Sequence, residues 1–222
     1  MIDPAHGGTD NGAQGPNGIM EKDVVLRLAR QIRLEFERQG FRVVMTRNDD
    51  SNPSYEDRAA VANAYRDAMF ISVHVASTGK IGTAHAYSYR YSTAVPATTG
   101  NSDALAPASS ETPKGLVVWE EAQRPYVDAS RRFADLAQMG LAERFEGSAR
   151  ASTSFAVREL RSVAAPAIAV ELSSIVVSDP NVLASMDAPL ASAVVRAVQL
   201  SRPGAAVSRN VSGASVRLAG AN

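Results

Sequence analysis

Val25, Leu28, Ile32 and Phe36 recur at three- and four-residue intervals among charged positions, the spacing of one buried helix face. The pattern predicts a helix over 21–39, with Gly40 as its stop. Residues 41–45 (FRVVM) then read as a buried strand. Ser54 followed by Asp57 resembles a capping box that opens a second helix carrying Ala59, Ala60, Ala62 and Ala64. Residues 68–74 (AMFISVH) form the next expected strand. Helix and strand alternate, which places the chain in the α/β class with a mostly parallel sheet covered on both faces.

In the second half, Ala84, Ala86 and Ser88 alternate with His85, Tyr87 and Tyr89 across 82–91, the period of a strand. Residues 92–115 are rich in Ser, Thr, Ala, Pro and Gly without periodicity and read as a long flexible insertion. Pattern resumes near Trp119, and a helix is expected to start close to Pro125. Phe133, Leu136, Ala137, Leu141 and Phe145 would supply its buried face. Residues 155–160 fit a short strand or an irregular turn, 166–172 (PAIAVEL) a buried strand, and 189–200 a final amphipathic helix. From Pro203 onward Gly, Ala, Ser and Asn dominate. The expected division is therefore one domain over 1–202 and a linker or tail over 203–222.

Composition narrows the field. Among 222 residues, 23 basic side chains balance 23 acidic ones, so no global field favours nucleic acid or an anionic membrane. No run of about 18 apolar residues is present, so no segment is expected to span a bilayer. Met1 and Ile2 run straight into Asp3 and Pro4, leaving almost no room for a strand that presents His6. An upstream residue or two, and a targeting segment, are therefore expected to have been trimmed away. Zero cysteines remove thiolate ligands, so any zinc must sit on His, Asp or Glu.

Three residues fit that requirement. His6 follows the first expected strand, Glu21 opens the first helix, and His74 closes the 68–74 strand. Two imidazoles and one carboxylate make an open zinc set, with a position left for water. Glu171 ends the PAIAV strand, where an uncompensated carboxylate is costly. Open parallel sheets bind ligands beyond the carboxyl ends of their strands, so topology alone would bring these four groups to one edge. The intervening GGTDNGAQGPNG needs glycine to turn tightly beside a ligand. It matches neither phosphate-binding glycine motif. Asp3 reads as an acceptor for a ligand imidazole, or more plainly as a turn cap.

IDPAHGGTDNGAQGPNGIMEKDVVLRLA resembles the opening motif of the zinc-dependent N-acetylmuramoyl-L-alanine amidases of the Amidase_3 family. The resemblance continues through GFRVVMTRNDD, EDRAAVANAYRDA and MFISVH, and returns at PAIAVE. It reaches about residue 201, is weak across 92–163 and is absent from the tail. It implies a Rossmann-like, three-layer αβα sandwich holding one zinc through His6, Glu21 and His74. Glu171 would match the glutamate that acts as general base and acid. The implied reaction is hydrolysis of the amide joining the lactyl group of N-acetylmuramic acid to the L-alanine of the peptidoglycan stem. The implied setting is the cell envelope, periplasmic or secreted, and the chain is expected to act as a monomer.

Ala5 stands where the family usually has Gly, Ala76 where Asn is frequent, His85 where Glu is common, and Leu172-Ser173-Ser174-Ile175 where a Gly-Phe-Leu-Ser-Asn-like run is usual. These departures leave a second reading open: a weak or inactive peptidoglycan-binding module of the same fold. A third is a zinc peptidase acting on free peptides. Some family members carry an inhibitory insertion over the zinc in the region of 92–115. Here that segment reads either as a lid answering a regulatory partner or as a tolerated surface loop. His85 reads as a structural or rim residue, Glu120 and Glu121 as a solvated helix start, and Tyr87, Tyr89 and Tyr91 as one face of a strand.

Overall fold

The computed structural model describes residues 1–91 and 118–202. Five strands form one sheet: β1 (Ile2–Pro4), β2 (Phe70–Val75), β3 (Thr83–Tyr89), β4 (Thr153–Phe155) and β5 (Ala167–Ser173), in the order β1-β2-β5-β3-β4. β1, β2 and β5 run parallel, β3 is antiparallel to β5, and β4 is parallel to β3. The link from β2 to β3 is only seven residues long. Too short for a crossover, it sends the chain back in the opposite direction.

The two faces of the sheet are covered unequally. Three long helices, α1 (Glu21–Arg38), α3 (Val127–Arg144) and α5 (Asp187–Ser201), lie on one face. Val25, Leu28 and Ile32 of α1, Phe133 and Leu141 of α3, and Leu190 and Val194 of α5 bury themselves against Ile71, Val73, Ile168 and Val170. α4 (Pro180–Ser185), which no sequence pattern announced, adds Leu183 to the same core. The opposite face carries α2 (Tyr55–Asn63) and the 158–165 segment. There Ala59, Ala62, Leu160 and Val163 meet Phe70, Ala167 and Ala169. This thinner layer leaves His74 near the end of β2 and Glu171 near the end of β5 partly exposed.

Most expected elements are present within a residue or two. The capping box forms: the Asp57 backbone N–H donates to Ser54 Oγ at 3.1 Å, and the Ser54 N–H donates to Asp57 Oδ2 at 3.3 Å. Residues 41–45 differ from expectation. They join the sheet only through one bridge, Met45 to Ile2, in which the Ile2 N–H donates to the Val44 carbonyl at 2.9 Å and the Thr46 N–H to the Ile2 carbonyl at 3.1 Å. The three residues of β1 suffice to present His6. The 155–160 stretch divides between the end of β4 and a 3-10 turn over Arg158–Leu160. The expected 92–115 insertion and 203–222 tail lie outside the described residues.

Candidate metal centre

Two buried arginines shape the loop that carries His6. Arg47 donates to the carbonyls of Pro4 (2.9 Å) and Ala5 (2.8 Å), and Arg58 to those of Pro4 (2.8 Å) and His6 (2.9 Å). Asp3 balances Arg58 at 2.6 Å. So held, His6 adopts a φ of +60°, an uncommon conformation for a side-chain-bearing residue. Gly7 follows at φ +133°, and a Cβ there would lie 2.1 Å from the Ser51 carbonyl oxygen. Only glycine fits.

His6, Glu21 and His74 meet at this loop. One ligand atom from each lies within 4.8 Å of the others. His6 Nε2 is 3.2 Å from Glu21 Oε2, and His74 Nδ1 is 3.2 Å from Glu21 Oε1. The two rings stand edge to face at 5.5 Å. Glu21 is buried at the start of α1 and accepts backbone N–H groups from Ala13 (2.7 Å) and Val75 (2.9 Å). Gly12 sits against the cluster: a Cβ there would lie 2.6 Å from both Glu21 Oε2 and His6 Cδ2.

The ionisation of the cluster follows from its hydrogen bonds. Burial pushes the Glu21 carboxyl up, but hydrogen bonds from His6, His74 and two backbone amides hold it well below the usual carboxylate range. Burial also works against charge on His74, yet its hydrogen bonds to Glu159 and Glu21 raise it to about 10. The hydrogen bond to Glu21 is the chief cause that raises His6, with Asp10 adding to it. The far nitrogen of each ring meets a carboxylate: His6 Nδ1 is 2.9 Å from Asp10 Oδ2, and His74 Nε2 is 2.7 Å from Glu159 Oε1. An ionised carboxylate, two convergent imidazoles and carboxylates behind both rings fit a zinc-type divalent cation.

Glu171 lies beside this cluster. It is the register partner of His74 across β2 and β5, and of His85 across β5 and β3. Tyr87 donates its hydroxyl to Glu171 Oε2 at 3.0 Å. Burial, with the Glu171 charge beside it, pushes the Tyr87 phenol up to about 12, so it stays a donor. His85 packs on Tyr87 and meets Thr153 Oγ1 at 2.8 Å. Burial lowers its pKa against the pull of Glu171. It is no member of the His6–Glu21–His74 group.

Two clefts adjoin the cluster. One, of about 430 Å³, has Asn52, Tyr55, Glu56 and His6 on its walls. The other, of about 540 Å³, has Tyr87, Phe155, Val157 and Glu171. His74, Arg158 and Glu159 line both. The Arg158 guanidinium lies over the Tyr55 ring at 4.6 Å. Among the described residues it makes no ion pair, since the neighbouring Glu159 is turned to His74.

The four residues singled out in the sequence are thus neighbours. Asp3, read there as an acceptor for a ligand imidazole, instead takes Arg58, Thr46 Oγ1 (2.5 Å) and Ser72 Oγ (2.8 Å). It reaches His6 only through the arginine. The carboxylates that do face the ligand rings, Asp10 and Glu159, were missed. Asp10 carried a faint signal as an acid four residues after His6. Glu159 is 85 residues from His74, and no local pattern joins them.

The family model for N-acetylmuramoyl-L-alanine amidases, Amidase_3, matches residues 1–199. The amidase AmiC of Neisseria meningitidis is 45% identical over 74 residues, 33% of this chain and 18% of that protein. The sporulation-specific amidase of Bacillus subtilis is 40% identical over 84 residues, 37% of this chain and 32% of that one. The aligned regions therefore take in a third or less of these relatives' length. Among solved structures, an N-acetylmuramoyl-L-alanine amidase from Clostridium difficile 630 superposes with a TM-score of 0.63 at 22% identity, covering 91% of this chain and 96% of that one. The CwlD amidase from Clostridioides difficile, solved in complex with the GerS lipoprotein, gives 0.66 at 17% identity over 90% and 95% of the two chains. At such identities these likenesses speak to the fold, which they share with amidase catalytic domains. The family match, spanning nearly the whole described chain, settles membership: this chain belongs to the Amidase_3 family of N-acetylmuramoyl-L-alanine amidases.

Proposed function

We propose that this domain hydrolyses the amide between N-acetylmuramic acid and L-alanine in peptidoglycan, with zinc held by His6, Glu21 and His74 and with Glu171 as general base and acid. The observation that carries the reading is the convergence of the three ligand atoms within 4.8 Å, next to a fourth polar group in register with His74. A zinc ion there would supply Lewis acidity to the scissile carbonyl and to a water molecule.

The remaining steps belong to the chain's own residues. Glu171 takes a proton from the attacking water onto a carboxylate oxygen. It then gives that proton to the alanine nitrogen as the carbon–nitrogen bond breaks. Tyr87 holds Oε2 from one side, which fixes the carboxylate and leaves Oε1 for the transfer. His6 and His74 accept no proton while their ligand nitrogens are engaged. The two clefts offer separate room for the groups on either side of the scissile bond. Arg158, where the clefts meet, would face the carboxylates of the stem peptide.

The substrate places such an enzyme in the cell envelope, periplasmic or secreted. Among the described residues no helix is long and apolar enough to cross a membrane. A regulatory protein acting on the 92–115 segment is part of the proposal. Its support is that one structural neighbour was solved with a lipoprotein partner.

Zinc content and muropeptide hydrolysis, measured together on wild type and Glu171→Ala, test the reading. One zinc per chain in both, with stems bearing a free L-alanine amine released only by wild type, is the expected result. Zinc without hydrolysis by wild type would reduce the domain to a binding module. Absence of zinc from wild type would remove the metal assignment.

A further inference from the structure

A neutral imidazole carries one N–H and one lone pair, so a histidine that binds metal must present the correct nitrogen. We infer that Glu159 makes this choice for His74. It accepts a hydrogen bond from Nε2–H, which leaves the Nδ1 lone pair facing the metal. The inference rests on the metal reading above and adds to it a positioning residue outside the ligand set.

Three observations carry it. First, Glu159 Oε1 lies 2.7 Å from His74 Nε2, while His74 Nδ1 faces Glu21 at 3.2 Å. The carboxylate stands behind the ring, on the opposite nitrogen from Glu21, and Glu159 is outside the three-residue ligand group. The other polar group near Nε2, Ser72 Oγ, is 3.4 Å away and donates to Asp3 instead.

Second, the Glu159 side chain is only 11% exposed. A buried carboxylate is costly unless paired, and its side-chain partner among the described residues is His74. Asp10, the corresponding group on His6, is 48% exposed. Water can therefore replace Asp10 far more readily than Glu159.

Third, the turn that presents Glu159 is anchored. Leu160, the next residue, is fully buried in the apolar cluster with Ala59, Val163 and Ala165. The backbone N–H of Arg161 closes the turn on the Arg158 carbonyl at 3.2 Å. Glu159 is thus held where it is by packing, and a carboxylate so held orients a ligand ring without contacting the metal.

The test compares the wild-type 222-residue chain with Glu159→Ala, Glu159→Gln and Asp10→Ala. Zinc affinity is read by chelator competition, and ligand geometry by the visible absorption of the cobalt(II) form. Glu159→Ala should bind zinc roughly 10- to 100-fold more weakly and shift the cobalt spectrum. Glu159→Gln, whose amide oxygen still accepts Nε2–H, should recover most of the affinity and the wild-type spectrum. Asp10→Ala should lose less than Glu159→Ala. Melting of the four metal-free proteins identifies any variant that fails to fold, and Glu159→Gln then carries the comparison. Wild-type affinity, within twofold, in a folded Glu159→Ala would overturn the role of Glu159 and leave the metal reading standing. So would a Glu159→Gln variant that keeps neither affinity nor spectrum. A wild-type chain that binds no zinc would overturn both.

Discussion

His74 and Glu171 stand side by side as register partners on the parallel strands β2 and β5, so the sheet itself sets the spacing between a candidate ligand and the candidate base. The two can be separated by mutation. Glu171→Ala should lower kcat on a muramyl peptide by roughly 10²- to 10⁴-fold, the usual weight of a general acid–base group. Zinc stoichiometry should be unchanged, because Glu171 is outside the ligand group. Parallel loss of zinc and turnover would contradict this division of roles.

His74 predicts a proton count. Burial opposes its charge, but Glu159 and Glu21 raise its pKa to about 10, so the metal-free site holds a proton there at pH 7. A ligand nitrogen must be free of its proton, so zinc binding expels it. The sign follows: apparent zinc affinity rises with pH while His74 remains protonated without metal, by roughly tenfold per pH unit for one linked proton. Titration calorimetry at pH 7 in buffers of different ionisation enthalpy should show release of about one proton or more per zinc. A value near zero would refute the shift.

Gly12 provides a steric test of the same centre. Its φ is +64°, and a Cβ would enter within 2.6 Å of both Glu21 Oε2 and His6 Cδ2. Gly12→Ala must displace one of those groups. The expected result is loss of zinc binding with far-UV circular dichroism close to wild type, since Gly12 lies outside helix and strand. Wild-type zinc affinity in this variant would show that the cluster tolerates displacement.

How much of this was legible in the sequence depends on how local each feature is. The helix pattern of Val25, Leu28 and Ile32, the capping box at Ser54 and the PAIAVEL strand are written in neighbouring residues, and each reappears. The meeting of His6, Glu21, His74 and Glu171 at one edge was legible because strand and helix ends share that edge of an α/β sheet. The strand expected over 41–45 reduces to a single bridge from Met45 to Ile2, because apolar pattern alone does not supply the ladder of backbone hydrogen bonds that makes a strand. Glu159 and the Arg58–Asp3 pair were invisible for a related reason. They join residues 85 and 55 positions apart, with no periodicity to reveal them.

That buried pair has a measurable weight. Arg58 and Asp3 are 4% and 1% exposed, and the arginine also holds the carbonyls of Pro4 and His6. Arg58→Met leaves a buried carboxylate without its countercharge, a change that typically costs about 3–5 kcal/mol. Urea denaturation of the metal-free protein should show a loss of that order. The double variant Asp3→Asn/Arg58→Met should recover part of it, because the two effects are coupled.

Arg158 should act on substrate choice and leave metal binding alone. It lines both clefts, is steadied by the Tyr55 ring and makes no ion pair among the described residues. Muramyl peptides prepared with a stem carboxylate either free or converted to a carboxamide separate charge reading from cleft shape. An exposed guanidinium–carboxylate pair contributes about 1 kcal/mol, or roughly fivefold in kcat/KM. Wild type should therefore prefer the carboxylate-bearing muramyl peptide over the carboxamide by about that factor. Arg158→Met should lose the preference by slowing only on the carboxylate substrate. Equal slowing on both substrates would mean that the guanidinium shapes the cleft without reading the charge.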